Sequence, residues 1–275
     1  MTSFIEARDG TTLFYKDWGT GTPVLFIHGW ALGCEMWEYQ MPYLVGQGLR
    51  CIAYDKRGCG RSGQPWSGYD FDTFADDLAM IIEQLDLREV ALVGHSMGCG
   101  DISRYLSRYG TDRVARAALV ATTTPFILNA EDNPEGLDKS VFDNIVTELG
   151  RDRPRFLAAG APAFFGTKGP NSPVSQEMIQ WAIELFLPAS PKAMTAMIRA
   201  MSETDLREDM HAFAMPTLII HGDADQSAPI DLTGRRTAEA ISGSQLKVYE
   251  GAAHGLFITE KDRLNAGLLA FIRSQ

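Results

Sequence analysis

One pentapeptide narrows the folds open to this 275-residue chain. Val90-Ala91-Leu92-Val93 is an apolar run of strand length, and Gly94-His95-Ser96-Met97-Gly98 follows it directly. Ile102, Tyr105, Leu106 and Tyr109 then recur at helical spacing, with Gly110 placed to cap the helix C-terminus. G-x-S-x-G between a strand and a helix describes a turn too sharp for side chains at its flanks. Gly94 and Gly98 let strand, turn and helix pack closely. Ser96 is then exposed at a helix N-terminus, where backbone N–H groups can stabilise an oxyanion. The pattern predicts a nucleophilic serine. A surface serine in an ordinary glycine-rich turn would need no partners elsewhere in the chain.

The surrounding pattern supplies the architecture. Asp9-Gly10 is a hairpin signal between Phe4–Arg8 and Thr11–Tyr15. Short apolar runs at Val24–Ile27, Cys51–Tyr54, Val90–Val93, Ala117–Ala121 and Thr217–Ile220 alternate with helical patterns, such as Phe74, Leu78, Ile81, Ile82 and Leu85. Such alternation implies right-handed βαβ units and a mostly parallel sheet. The last helix is expected to bury Leu264, Leu268, Phe271 and Ile272. Between about Thr122 and Met215 the alternation stops, and eight of the thirteen prolines fall there. Long uninterrupted elements are not expected in that stretch. Its Phe, Met, Leu and Trp content makes it folded, and it reads as a helical cap over the site. The whole chain, 1–275, reads as one α/β domain with its core at about 1–121 and 215–275 and its cap at about 122–214.

Composition excludes several classes. A formal charge of −10 with no Lys/Arg-rich run offers nothing to nucleic acid. No apolar stretch approaches a membrane span, and the first residues lack a basic, apolar leader, so a cytoplasmic location is expected. Cys34, Cys51, Cys59 and Cys99 show no C-x-x-C spacing and read as free thiols in a reducing compartment. No zinc or EF-hand pattern occurs, and no metal or other cofactor is expected. Gly58-Cys59-Gly60-Arg61-Ser62-Gly63 matches a dinucleotide fingerprint in letters only. That fingerprint opens into a helix, whereas Gln64-Pro65-Trp66-Ser67-Gly68 continues a loop.

A serine hydroxyl needs a base, and position sorts the five histidines. His28 lies in a turn after an early strand, and His95 adjoins Ser96, where the elbow is expected to turn it away. His211 ends the cap and His221 ends a strand. His254 follows the last strand-like run, Gln245–Tyr249, in the loop Gly251–Gly255, where open α/β sheets place their chemistry. His254 is the expected base. Chain order Ser, acid, His puts the acid after a strand between 96 and 254. His221-Gly222-Asp223-Ala224-Asp225 offers two. Asp225 has the longer reach and is preferred, with Asp223 as the alternative that caps or braces the loop. The backbone N–H groups of Met97 and Trp30 are the expected oxyanion donors.

With these pieces in place, the chain resembles the α/β-hydrolase superfamily. Within it, the chain is similar to the bacterial arylesterases also described as cofactor-free (non-heme) haloperoxidases or perhydrolases. The resemblance runs nearly end to end, through Phe14–Gly19, His28-Gly29-Trp30, Asp55-Lys56-Arg57-Gly58, Gln64–Gly68, Tyr69–Leu87, Ser202–Asp205, His221–Gln226 and Leu264-Asn265-Ala266. It implies an eight-stranded, mostly parallel sheet flanked by helices, with a helical cap inserted before the strand near 217–220. The matching positions are Ser96, Asp225 and His254, with Trp30 and Met97 at the oxyanion hole. It also implies hydrolysis of small aryl and alkyl esters, some lactones and amides, peracid formation from hydrogen peroxide, and homo-oligomers. Departures are Cys99 for a glycine, Cys59 for a larger residue, His95 for Phe, Ser227 for Ile or Val in the pocket, and Ala31 for Pro or Leu.

The reading that results is ester hydrolysis through an acyl-enzyme, with a small-molecule ester as the partner. Perhydrolysis is its nearest rival because peroxide merely replaces water; lactonase and amidase activity use the same three residues. A ligand receptor on a hydrolase scaffold is the alternative from another class, and saturable binding without turnover would mark it. Phe126, Phe142, Phe164 and Phe165, with Trp30, Ser227 and Leu256, are the expected pocket wall.

Overall fold

The computed structural model describes residues 3–167 and 172–274. The chain opens with β1 (Phe4–Glu6) and β2 (Thr12–Trp18), paired antiparallel across the Asp9-Gly10 turn. The Asp9 carboxylate accepts from the Thr11 amide at 3.0 Å, and Gly10 takes φ +84°. That is the chemistry for which Asp-Gly turns are favoured. Alternating units follow: β3 (Pro23–Ile27), α1 (Met41–Gly46), β4 (Arg50–Tyr54), α2 (Phe71–Gln84), β5 (Val90–His95), α3 (Met97–Tyr109) and β6 (Val114–Val120). After β6 come α4 (Lys139–Phe165), α5 (Gln176–Phe186) and α6 (Pro191–Glu203). The chain then returns to the sheet with β7 (Thr217–Gly222), α7 (Gly234–Ala240), β8 (Gln245–Tyr249), α8 (Leu256–Thr259) and α9 (Lys261–Arg273).

The eight strands form one sheet in the order β1-β2-β4-β3-β5-β6-β7-β8. Only the pairings that involve β2 are antiparallel, to β1 and to β4, and the rest are parallel. Helices cover both faces of the central strands, so β5 and β7 are buried along their whole length. Strands covered on two faces read as continuous apolar runs, which is why they stand out in the sequence. α2 buries Phe71, Phe74, Leu78, Ile81 and Ile82, and its start is capped by Asp70, which accepts from the Thr73 amide at 2.9 Å. α9 buries Leu264, Leu268, Phe271 and Ile272 as expected.

The segment between β6 and β7 is interrupted, as expected from its prolines. α4 spans 27 residues in two helical arms and contains Pro154 and Pro162. Its helical path breaks at Asp152 (φ −159°, ψ 85°), whose carboxylate accepts from the Arg155 amide at 3.1 Å. Asp152 thus caps a second helical arm, and Pro154 lies in that arm's first turn, where a missing N–H costs nothing.

The loop Gly58–Gly63 stays irregular until α2 begins at Phe71. It wraps around the buried Asp55 carboxylate, which accepts from the amides of Cys34 (2.7 Å) and Arg61 (2.9 Å). Gly60 sits at φ +50° so close to that carboxylate that any Cβ would collide with it. Gly60 therefore answers to a side chain of the protein itself. Next to it, the ammonium of Lys56 is buried 3.1 Å from the Asp101 carboxylate and over the Phe74 ring. The four cysteines are buried and unpaired. Among the described residues no helix is long and apolar enough to cross a membrane.

Candidate active site

Ser96 joins β5 to α3 with φ 54° and ψ −120°, a conformation rare for a residue with a side chain. Its two flanking glycines are required by contact. A Cβ on Gly94 would lie 2.8 Å from Ile102 Cδ1, and one on Gly98 would lie 2.6 Å from the Ile27 carbonyl oxygen and 2.8 Å from that of His28. The second approach presses the N-terminus of α3 against the end of β3, and so toward the His28-Gly29-Trp30 turn. Met97 is the first residue of α3, so its N–H has no intrahelical acceptor. His28 shapes the turn: its Nδ1–H donates to the Gly29 carbonyl (2.7 Å) and its Nε2 accepts from the Lys56 amide (2.9 Å). The Trp30 indole N–H donates to the Met194 carbonyl on α6 at 2.9 Å, which fixes the ring across the mouth of the sheet.

Asp225 and His254 come from the loops after β7 and β8. His254 Nδ1–H donates to Asp225 Oδ2 at 2.6 Å, and both residues are 5% exposed. Asp225 Oδ1 accepts from the amides of Ser227 and Ala228, each at 2.8 Å. Burial alone would push the Asp225 carboxyl up. Attraction to His254 and hydrogen bonds from His221 and His254 outweigh it, holding the group well below the ordinary carboxylate range. Asp223 does something else. Its carboxylate accepts from the Gly251 amide at 2.6 Å and stitches the β7 loop to the β8 loop. It braces the loop that carries His254, which is the alternative the sequence left open for it. His211 sits exposed on the 3-10 turn Glu208–Ala212.

Ser96 and His254 share the wall of one cavity of about 300 Å³. Of the expected wall residues, Trp30, Phe142, Phe164, Phe165 and Ser227 are on it, and Phe126 and Leu256 are not. Leu256 opens α8 two residues after His254. As the first residue of that helix it points into the core, where it is fully buried. Phe126 is buried away from the cavity, with the Arg207 guanidinium 5.3 Å over its ring. The sequence reading missed Phe156 of α4, Ala182, Ile183 and Phe186 of α5, and Ile198 and Met201 of α6. The spacing Ile179, Ala182, Ile183, Phe186 was the available signal, a single apolar helix face.

Two further histidines were missed. His221 Nε2–H donates to the Ala228 carbonyl at 2.8 Å and lies 3.3 Å from Asp225 Oδ2, a second imidazole on the same carboxylate. His95 lies on the cavity wall instead of turning away. Its ring packs 4.9 Å from that of His254 and 5.1 Å from Phe257, and its Nε2–H donates to the His254 carbonyl at 3.1 Å. Burial first, and the neighbouring His254 second, push the His95 imidazole down to about 3, while Asp225 opposes and His221 adds to the fall. His95 is therefore neutral when folded and takes a proton near pH 6.5 only when unfolded. Below that pH the unfolded state binds more protons, so stability falls as pH falls from about 6.5 toward 3. His95→Phe keeps the ring and removes the titration. The variant is expected to lose about 2 kcal/mol less stability than the parent between pH 7 and pH 5. Urea melts at the two pH values check this, and an equal loss in both proteins refutes it.

Residues 22–261 match the family of the alpha/beta hydrolase fold. The chain is 42% identical over 267 residues to the non-heme chloroperoxidase CPO-A1 of Kitasatospora aureofaciens, covering 96% of this chain and 97% of that protein. It is 38% identical over 274 residues to the bifunctional esterase/perhydrolase DCH of Acinetobacter calcoaceticus, covering 98% of this chain and 99% of that one. The crystal structure of a bromoperoxidase from Bacillus anthracis superposes with a TM-score of 0.95 at 41% identity, covering 98% of this chain and 99% of that chain. The chain belongs to the α/β-hydrolase family, in the group whose members are named as non-heme haloperoxidases, esterases and perhydrolases.

Proposed function

We propose that this α/β hydrolase cleaves small carboxylic esters through an acyl-enzyme formed on Ser96. One observation carries the reading. Ser96 and His254 face the same apolar cavity, and Asp225 holds the far nitrogen of His254 at 2.6 Å. That bond keeps the proton on Nδ1 and leaves Nε2 free to accept one. Ser96 Oγ attacks the ester carbonyl carbon while His254 Nε2 takes the hydroxyl proton. The N–H groups of Trp30 and Met97 hold the oxyanion. The bond from carbon to the leaving oxygen then breaks, and His254 returns its proton to the departing alcohol. Water attacks the acyl-enzyme with its proton passing to His254, the carboxylic acid departs, and Ser96 recovers its proton.

We read residues 1–275 as one domain whose insertion at about 122–214 caps the site. The partner is a small-molecule ester, and the family resemblance supports a homo-oligomer. A second reading is favoured by the relatives named for haloperoxidase and perhydrolase activity. In it, hydrogen peroxide attacks the acyl-enzyme in place of water, its O–O bond stays intact, and a peracid leaves. Ser96, Asp225 and His254 serve both.

A fluorophosphonate probe tests the common step. It is expected to inactivate hydrolysis of p-nitrophenyl butanoate at one probe per chain, with the phosphonyl mass on the peptide that contains Ser96. Peroxide with acetate then tells the two readings apart by peracetic acid formation. Inactivation without a Ser96 adduct, or turnover that survives full labelling, refutes the reading.

A further inference from the structure

We infer that the cavity selects acyl groups bearing a neutral hydroxyl, held by the side chains of Thr123 and Ser227; this rests on the serine esterase reading above. Thr123 follows β6 and Ser227 follows β7, neighbouring parallel strands in which Val120 pairs with Ile220. Ser96 follows β5, the strand on the other side of β6. Three adjacent strand ends therefore bring the nucleophile and two hydroxyl-bearing residues to one cavity.

The run Thr122-Thr123-Thr124 divides its hydroxyls between two tasks. Thr122 Oγ1 lies 2.6 Å from Thr124 Oγ1, which lies 2.9 Å from Thr237 Oγ1 on α7, and the Thr237 hydroxyl donates to the Thr124 carbonyl at 2.7 Å. These buried bonds fix the segment. The middle residue, Thr123, is turned the other way and lies on the cavity wall, and its hydroxyl has no partner among the described residues. Ser227 is fixed by its amide, which donates to Asp225 Oδ1 at 2.8 Å, and its hydroxyl likewise has no partner among the described residues.

Apart from Ser96, His95, His254 and Gln226, the rest of the wall is aromatic and aliphatic, and among the described residues it holds no Asp, Glu, Lys or Arg. A carboxylate or ammonium on the substrate would find no counter-charge, so the matching substituent is neutral. A hydrocarbon chain pressed against Thr123 and Ser227 strips water from both hydroxyls and returns nothing. A hydroxyl on the acyl chain can donate to one and accept from the other. Valine would fill the Thr123 site with the same shape, so volume does not require the hydroxyl there. Sites that hydrogen-bond a substrate hydroxyl reject the analogue lacking it far better than apolar sites discriminate by size.

The test compares p-nitrophenyl 3-hydroxybutanoate with p-nitrophenyl 3-methylbutanoate, which differ by a hydroxyl in place of a methyl. Each kcat/KM is divided by that ester's own alkaline hydrolysis rate to cancel intrinsic reactivity. The parent protein is expected to favour the hydroxy ester about tenfold. Thr123→Val and Ser227→Ala should each erase most of that preference, and Thr123→Ser should keep it. Ser96-dependent turnover with a preference for the methyl ester, or a preference unchanged in both variants, overturns the hydroxyl pair and leaves the esterase reading standing. Turnover of both esters that survives Ser96→Ala overturns the serine reading and this assignment with it. The comparison in the parent protein holds whether or not a variant folds.

Discussion

Ser96→Ala is expected to lower kcat for p-nitrophenyl esters about a million-fold while leaving KM within a few-fold. The asymmetry follows from geometry. Binding is expected to rest on the cavity wall, which includes Trp30 and aromatic side chains of α4 and α5, and not on one oxygen. The chemical step depends on that oxygen entirely. Backbone strain does not confuse the measurement, because serine and alanine meet the same penalty at φ 54°. The thermal midpoint should therefore match that of the parent. Residual turnover measures what Trp30, Met97 and binding supply without a nucleophile, and it is expected to stay well above the rate in buffer. Preparations must be free of parent enzyme to better than one part in a million, since contamination would set the floor. A variant that retains more than about one per cent of kcat would remove Ser96 from the reaction.

The parts of this molecule that were legible in its sequence are those where local geometry dictates residue type. Gly94 and Gly98 are demanded by contacts with Ile102, Ile27 and His28, so the elbow announces itself in five letters. β5 and β7 are covered on both faces and read as apolar runs. Asp225 and His254 could be ordered because strand ends were already located. The cavity wall was not legible in this way. Phe126 and Phe186 are both phenylalanines of the inserted segment, yet one packs under Arg207 and the other lines the cavity. Only the packing of α4, α5 and α6 separates them. Leu256 was misplaced because the helical start at Gly255 is invisible without the structure. His95 and His221 were passed over for a related reason. His95 was judged by its neighbours in sequence, whereas it acts on the loop after β8, and His221 was judged as a strand end, whereas its ring turns back onto the loop that follows its own strand. α4 was legible in its interruption: prolines argued against a long unbroken helix, and its path breaks at Asp152, which caps the second arm.

Asp225→Asn is expected to lower kcat about ten-thousand-fold. Every group aimed at this carboxylate is a donor: the amides of Ser227 and Ala228, the Nδ1–H of His254 and, at 3.3 Å, the Nε2–H of His221 that it shares with the Ala228 carbonyl. An asparagine brings an NH2 group into a site that offers it no acceptor. If its oxygen stays with the two amides, its nitrogen faces His254, and Nδ1 must lose its proton to accept. The proton then sits on Nε2, the atom that must accept from Ser96. If the side chain flips, the NH2 group opposes two backbone N–H groups instead, and the loop between Gly222 and Ala228 is strained. Stability responds as well. The folded-state carboxyl is held below its unfolded value, so its ionised form stabilises the fold above about pH 4, and that contribution fades as pH falls further. The variant should accordingly be less stable than the parent at pH 7, with the gap closing below pH 4 in urea melts. Asp223→Asn provides the control, because that carboxylate only accepts from Gly251 and supports the loop from outside. Its kcat is expected to fall no more than about tenfold, the scale of one hydrogen bond. The opposite order, with Asp223→Asn the crippled variant and Asp225→Asn nearly active, would transfer the acid's role to Asp223 and leave the 2.6 Å contact with His254 purely structural.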